Sequence, residues 1–159
     1  RRHLRGKIDD ARNRFVAAEE RLKALDYAGV VAQVQEGLEL TAKALLDSMA
    51  IDYTIARPGG KKEFLHDVSS RLPEALSKLE PMLEEHEKRS TKLEIARLAA
   101  MLRMLTGMKD LARFGIPELK LGAGEIFDYY FAEDLTKALL KVSKSISNHF
   151  WYNWDRWKL

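Results

Sequence analysis

The chain contains no cysteine. That excludes disulfide frameworks, thiolate zinc sites, cysteine nucleophiles and haem-attachment motifs. Proline (4) and glycine (9) are too scarce for a collagen-like or low-complexity chain. No apolar run approaches the roughly 18 residues of a membrane-spanning helix, and no segment has the layout of a signal peptide. The simplest expectation is a cytoplasmic protein with no membrane partner. A strong charge of one sign is also missing. Lys and Arg total 27 against 24 Asp and Glu, a net +3, far from the field of a dedicated nucleic-acid binder. The chain opens Arg1-Arg2-His3-Leu4-Arg5 without methionine, as expected of a piece of a longer protein.

What is present suffices for one domain. The 159 residues are 46% hydrophobic and 32% charged. A chain of this size buries about 70% of its unfolded surface and needs no covalent staple. The aromatic residues are unevenly placed. All three tryptophans fall within Phe150–Leu159.

Hydrophobic spacing predicts helices almost throughout. Ile8, Ala11, Phe15, Ala18, Leu22 and Leu25 recur at steps of three and four. A second helix is predicted over about 26–50, with Val30, Val31, Val34, Leu38, Leu45 and Leu46 on its apolar face. Gly29 and Gly37 interrupt it at about 1 kcal/mol each. Close approach of a neighbouring helix would explain them. A loop is predicted from Ile51 to about Val68, centred on Arg57-Pro58-Gly59-Gly60-Lys61-Lys62. A short helix follows at about 73–83. The charge-rich stretch 80–92 reads as a solvated helix face or a connection.

A third long helix is predicted over about 91–113. Ile95, Leu98, Leu102 and Leu105 make one stripe, and Met101, Met104, Met108 and Leu111 make a second beside it. Together they are wider than one packed face requires. The second stripe therefore reads as core or as the interface of a homodimer. The last long helix is predicted over about 125–148, with acidic residues first and basic residues last, as the helix dipole favours. No strand pattern competes. The predicted fold is all-α: an antiparallel up-and-down bundle of four long helices plus a short helix.

Several side chains are candidate ligand contacts. Arg57, Lys61 and Lys62 are the accessible cations of the glycine-rich loop, although the full phosphate-loop spacing is absent. His66-Asp67 suggests a metal dyad, but the histidines are too few and scattered for one. The expectation is no metal and no cofactor, with Asp67 capping a helix and His66 at the bundle end. Arg97 lies in helical phase with Met101 and Met104, so it must pair, snorkel or bind. Lys43 has Glu39 four residues before it as a partner. Arg103 and Arg113 complete the basic set. The tail reads first as packing that folds back to seal the bundle or as a dimer contact, with Trp151, Trp154 and Trp157 as candidate interface anchors for a second subunit or a partner. Stacking of nucleobases on them, with Arg156 and Lys158 for phosphate, ranks last.

The order of certain motifs resembles the HEPN domain (higher eukaryotes and prokaryotes nucleotide-binding). These are Glu39-Leu-Thr-Ala-Lys-Ala-Leu-Leu46, a polar loop, His66-Asp67-Val68, Ala112-Arg-Phe-Gly-Ile-Pro117, and Phe127-Asp-Tyr-Tyr-Phe-Ala-Glu-Asp134. The resemblance covers about 8–149 and leaves 150–159 as an aromatic extension. It implies an antiparallel four-helix fold, a homodimer, and a minimal nucleotidyltransferase as partner in a toxin–antitoxin-like pair. It also implies association with nucleotide or RNA. Active members carry an Arg, four to six residues, then a His on a late helix, and cleave RNA without metal. Here none of His3, His66, His86 and His149 follows an Arg at that distance, and His149 has Lys144 five residues before it. The expected function is therefore an accessory binding protein. The alternatives are a ribonuclease with a non-standard site built on His149 and Lys144, or a structural dimerisation module of a larger protein.

Overall fold

The computed structural model describes residues 2–64 and 67–159. Its long helices are α1 (Arg2–Lys23), α2 (Tyr27–Ser48), α4 (Glu85–Phe114) and α6 (Tyr129–Asn153), with short helices α3 (Leu72–Leu79) and α5 (Ala123–Ile126). Contacts between distant residues fix their directions. Arg5 of α1 meets Asp155 just beyond α6, and Glu19 meets Lys144, so α1 and α6 are antiparallel. Thr41 and Ser147, both late in their helices, share a hydrogen bond of 2.8 Å, so α2 and α6 run parallel. Thr91, early in α4, meets His149, late in α6. The four long helices thus run up, down, up and down. This is the predicted all-α bundle.

Helix α2 is the central element, packed against α1, α4 and α6. Its sequence explains this, because Val30, Val31, Val34, Leu38, Ala42, Ala44, Leu45 and Leu46 are all fully buried. Burying this face stabilises the bundle by about 25 cal/mol per Å² of apolar surface removed from water. Its start is fixed by Asp26, whose carboxylate accepts the Gly29 N–H at 3.0 Å. The two glycines of α2 have different causes. A Cβ at Gly37 would sit 2.8 Å from the Phe15 ring of α1, so this glycine sets the α1–α2 spacing. A Cβ at Gly29 would strike the Asp26 carboxylate instead, so that glycine serves the cap.

Three local predictions are corrected. The loop after α2 contains a small antiparallel hairpin, β1 (Thr54–Ala56) and β2 (Lys62–Phe64), paired Thr54 with Phe64 and Ala56 with Lys62. Strands of three residues are too short to display a period of two. The charged stretch 85–92 is a solvated helix face, the first of its two readings, and forms the first two turns of α4, which therefore starts at Glu85 and not at about 91. Glu87 reaches back to accept the Glu84 N–H at 3.0 Å, which starts that helix. Finally, the predicted last helix divides. The turn α5 comes first, and α6 begins at Tyr129.

The aromatic segment is part of the bundle. Helix α6 runs unbroken across residue 150 to Asn153, and a closing turn brings the Leu159 N–H to the Trp154 carbonyl at 3.1 Å. Phe150, Trp154 and Trp157 are 0%, 1% and 2% exposed. They fill the end where α1 and α4 begin and α6 finishes. No described helix is long and apolar enough to cross a membrane.

Candidate functional site

Helices α4 and α6 pack on α2 more than on each other, which leaves an open groove between them. One stretch of it, about 510 Å³, is bordered by Glu94, Lys141, Lys144, Ser145, Asn148, His149 and Tyr152. It continues for about 440 Å³ past Arg97, Ala138, Val142 and Ile146. The α6 wall has a simple origin. Lys141, Ser145, Asn148 and Tyr152 recur at steps of four, three and four, so one helix face carries them all.

His149 sits at the closed end of this groove. Its Nε2 lies 3.2 Å from Thr91 Oγ1, and its ring packs edge-on to Phe150 and tilted against Trp157. Burial lowers the imidazole pKa from its ordinary value. The charges of Glu94 and Glu87 oppose this, and Arg156 adds to it. His149 is therefore held neutral at pH 7, able to accept a proton. Glu94 lies beside it on α4. One carboxylate oxygen accepts from Arg97 at 2.6 Å, and the other is buried without a hydrogen-bond partner. Lys141 makes no ion pair among the described residues. Tyr152 is 69% exposed. The groove thus presents an aromatic face, a neutral imidazole, a carboxylate and cations along one open channel.

The other predicted site residues are scattered. Lys144 borders the groove, but its ammonium is engaged by Glu19 of α1, whereas His149 turns to Thr91 of α4. Arg97 emerges from the apolar arc and pairs with Glu94. Lys43 pairs with Glu39 at 2.9 Å. Burial pushes the Glu39 carboxyl up, but hydrogen bonds from Lys43 and Gln35 and the charges of Lys43 and Lys109 outweigh it and hold the pKa below the ordinary value. Arg57 pairs with Glu63 across the hairpin at 2.8 Å, and Lys61 and Lys62 stand exposed beside it. That glycine pair forms a hairpin turn, not a strand-to-helix phosphate loop. Arg103 donates to Ser69 at 3.1 Å. Asp67 caps the same turn by accepting the Ser69 N–H at 3.1 Å. Arg113 lies over the Phe114 ring at 5.7 Å. His66 lies outside the described residues.

Of the candidate interface residues, Met101 and Met108 pack partly against the core. Met104 and Leu111 remain 58% and 37% exposed, followed by Phe114 at 64%. Trp154 and Trp157 are consumed by the core and cannot anchor a partner. Trp151 stays partly exposed between α1 and α6.

Sequence reasoning missed Glu94, Lys141 and Tyr152. The available signal was the polar series on α6, which the apolar stripe on its opposite face obscured. Compared with known proteins, the chain matches no family model, no curated protein and no solved structure.

Proposed function

We propose that this is a HEPN-like accessory protein that binds a nucleotide or an RNA segment in the α4–α6 groove and acts as a homodimer. One observation carries the reading: exposed Tyr152, half-buried His149, and Lys141, which makes no ion pair among the described residues, stand along a single open channel. An aromatic face offers stacking worth about 1–3 kcal/mol per base, and the cations track the phosphates. The four-helix fold and the motif order support the family resemblance. The partner that follows from it is a minimal nucleotidyltransferase in a toxin–antitoxin-like pair. The apolar strip Met104–Leu111–Phe114 supports association with a second copy.

The test is binding of a fluorescent single-stranded RNA oligomer, with native mass spectrometry of the protein from its host for subunit number and co-purifying partner. Tyr152→Ala and Lys141→Glu should each weaken RNA binding about tenfold, the effect of losing about 1.4 kcal/mol. Binding that is absent, or indifferent to both changes, removes the reading.

A second reading, metal-independent ribonuclease, is favoured by the neutral state of His149 beside Glu94. A neutral imidazole can accept the ribose 2′-OH proton. His149→Ala must then abolish RNA cleavage while leaving oligomer binding in place.

A further inference from the structure

A second cavity lies where α6 meets α1, next to the groove and sharing Lys144 and Asn148 with its border. It has a volume of about 270 Å³ and is lined by Asp9, Arg12, Asn13, Val16, Lys144 and Asn148 over a floor of buried Phe15. Two helical series face one another across it. Asp9, Arg12, Asn13 and Val16 follow steps of three, one and three on α1, and Lys144, Asn148 and Trp151 follow four and three on α6.

The feature that demands explanation is Arg12. Its guanidinium lies 3.8 Å from the centre of the Trp151 ring. Yet among the described residues it has neither a carboxylate partner nor a side-chain hydrogen bond. The stacking surface is itself locked. The Trp151 indole N–H donates to Asp9 at 2.8 Å, and Arg5 approaches the same carboxylate at 3.7 Å. Arg5 also lies 5.5 Å from the ring centre. Asp9 thus accepts from Trp151 and lies near Arg5, which Asp155 also engages, while among the described residues the forked N–H donors of Arg12 stay unused. Holding an arginine fork rigid removes the entropy cost of ordering it on a ligand. Asn13 and Asn148 bring two amide groups to the same cavity, also without side-chain partners among the described residues. Lys144, shared with Glu19, adds a second cation at the rim.

We infer that the α1–α6 cavity is a binding site for the phosphate group of a small phosphorylated molecule. Arg12 grips the phosphate, Lys144 adds charge, and the two asparagines meet polar atoms of the ligand's body over the Val16 and Phe15 surface. The fork of Arg12 matches two phosphate oxygens at once. The cavity volume admits a ligand of mononucleotide size and not a folded polymer. Arg12 and Asn13 lie outside the α4–α6 groove, whereas Lys144 and Asn148 border both cavities, so the Arg12 variant is what separates this inference from the groove reading.

The experiment is calorimetric titration of the intact chain with adenosine monophosphate, inorganic phosphate and adenosine. Trp151 fluorescence gives a second readout. The monophosphate and free phosphate should bind saturably and adenosine should not. Arg12→Gln should weaken monophosphate binding about tenfold or more, as loss of charge-assisted hydrogen bonds predicts. Asn148→Asp, which places a carboxylate in the cavity, should weaken it too. Arg12→Gln should weaken it more than Lys141→Glu does, because Lys141 borders only the α4–α6 groove. The inference is overturned if neither phosphate compound binds, if adenosine binds as tightly as its monophosphate, or if Lys141→Glu weakens binding and Arg12→Gln does not. That last result would place the ligand in the α4–α6 groove instead.

Discussion

Arg156, three residues from the C-terminus, donates a hydrogen bond to Glu87 in the first turn of α4. The carboxylate is 8% exposed, and its other oxygen accepts the Glu84 N–H. One side chain therefore starts a helix and ties it to the closing turn of the chain. The hydrogen bond from Arg156 and that from the Glu84 backbone hold the Glu87 carboxyl down at about 2, against the small opposing effect of burial.

This gives an acid-stability prediction. Glu87 titrates lower in the folded chain than in the unfolded chain, where the ordinary value of 4.5 holds. Its contribution is complete above that ordinary value and is lost as pH falls toward about 2. Melting temperature should drop through this window in the wild type. Glu87→Gln should lower stability at neutral pH and flatten the dependence between those limits. An unchanged slope in the variant would show that other carboxylates govern acid unfolding.

The two glycines Gly37 and Gly107 make opposite predictions. Both lie inside helices. A Cβ at Gly37 meets the Phe15 ring at 2.8 Å, whereas a Cβ at Gly107 meets nothing within 4 Å. Gly107→Ala should stabilise the protein by about 0.5–1 kcal/mol through lost backbone freedom in the unfolded chain. Gly37→Val should destabilise it by about 1–3 kcal/mol by overpacking the α1–α2 seam. Urea midpoints with unchanged m-values measure both.

The same contrast shows what could be read from the residues alone. The apolar periodicity of α1, α2 and α4 is strong enough to place those helices, and with them the bundle. The purpose of Gly37 could be inferred, since a glycine on a packed stripe invites close approach. The reason for Gly29 could not, because it depends on the rotamer of Asp26. The candidate groove was largely hidden. Lys141, Ser145, Asn148 and Tyr152 lie on a polar face, and a polar face looks the same in sequence whether it meets solvent or a channel. Glu94 looked like one more surface acid until α6 covered one of its oxygens. Arg12 looked unremarkable for a related reason. Its partner Trp151 is 139 residues away, at the far end of the chain.

The tryptophans give a sharper test of the bundle's limits. Trp154 is 1% exposed and Trp151 is only partly buried. Trp154→Ala should cost about 3–5 kcal/mol, the usual effect of emptying a large aromatic site in a core. Trp151→Ala should cost clearly less, because the ring is only partly buried and its contacts with Arg5, Arg12, Asp9 and Tyr152 lie at the surface. A chain ending at His149 lacks Phe150, Trp154 and Trp157 together and should show no cooperative melt. If that truncated chain melts as the intact one does, residues 150–159 are an appendage and not a part of the core.

The outer strip of α4 gives a test of the proposed homodimer. Leu98, Leu102 and Leu105 face the bundle and are buried, whereas Met104, Leu111 and Phe114 on the next face are 58%, 37% and 64% exposed. Long apolar side chains in a row on one helix lose free energy to water unless a partner covers them. If a second copy does so, Met104→Asp places a charge at the centre of the contact in each subunit. The dimer dissociation constant should rise at least about tenfold, corresponding to about 1.4 kcal/mol. The monomer's melting temperature should not fall, because Met104 is 58% exposed and stands outside the core. Sedimentation velocity across a concentration series reads the first quantity, and circular dichroism reads the second. A wild-type protein that stays monomeric at high concentration removes the dimer. A Met104→Asp variant that still dimerises as tightly places the interface on another face.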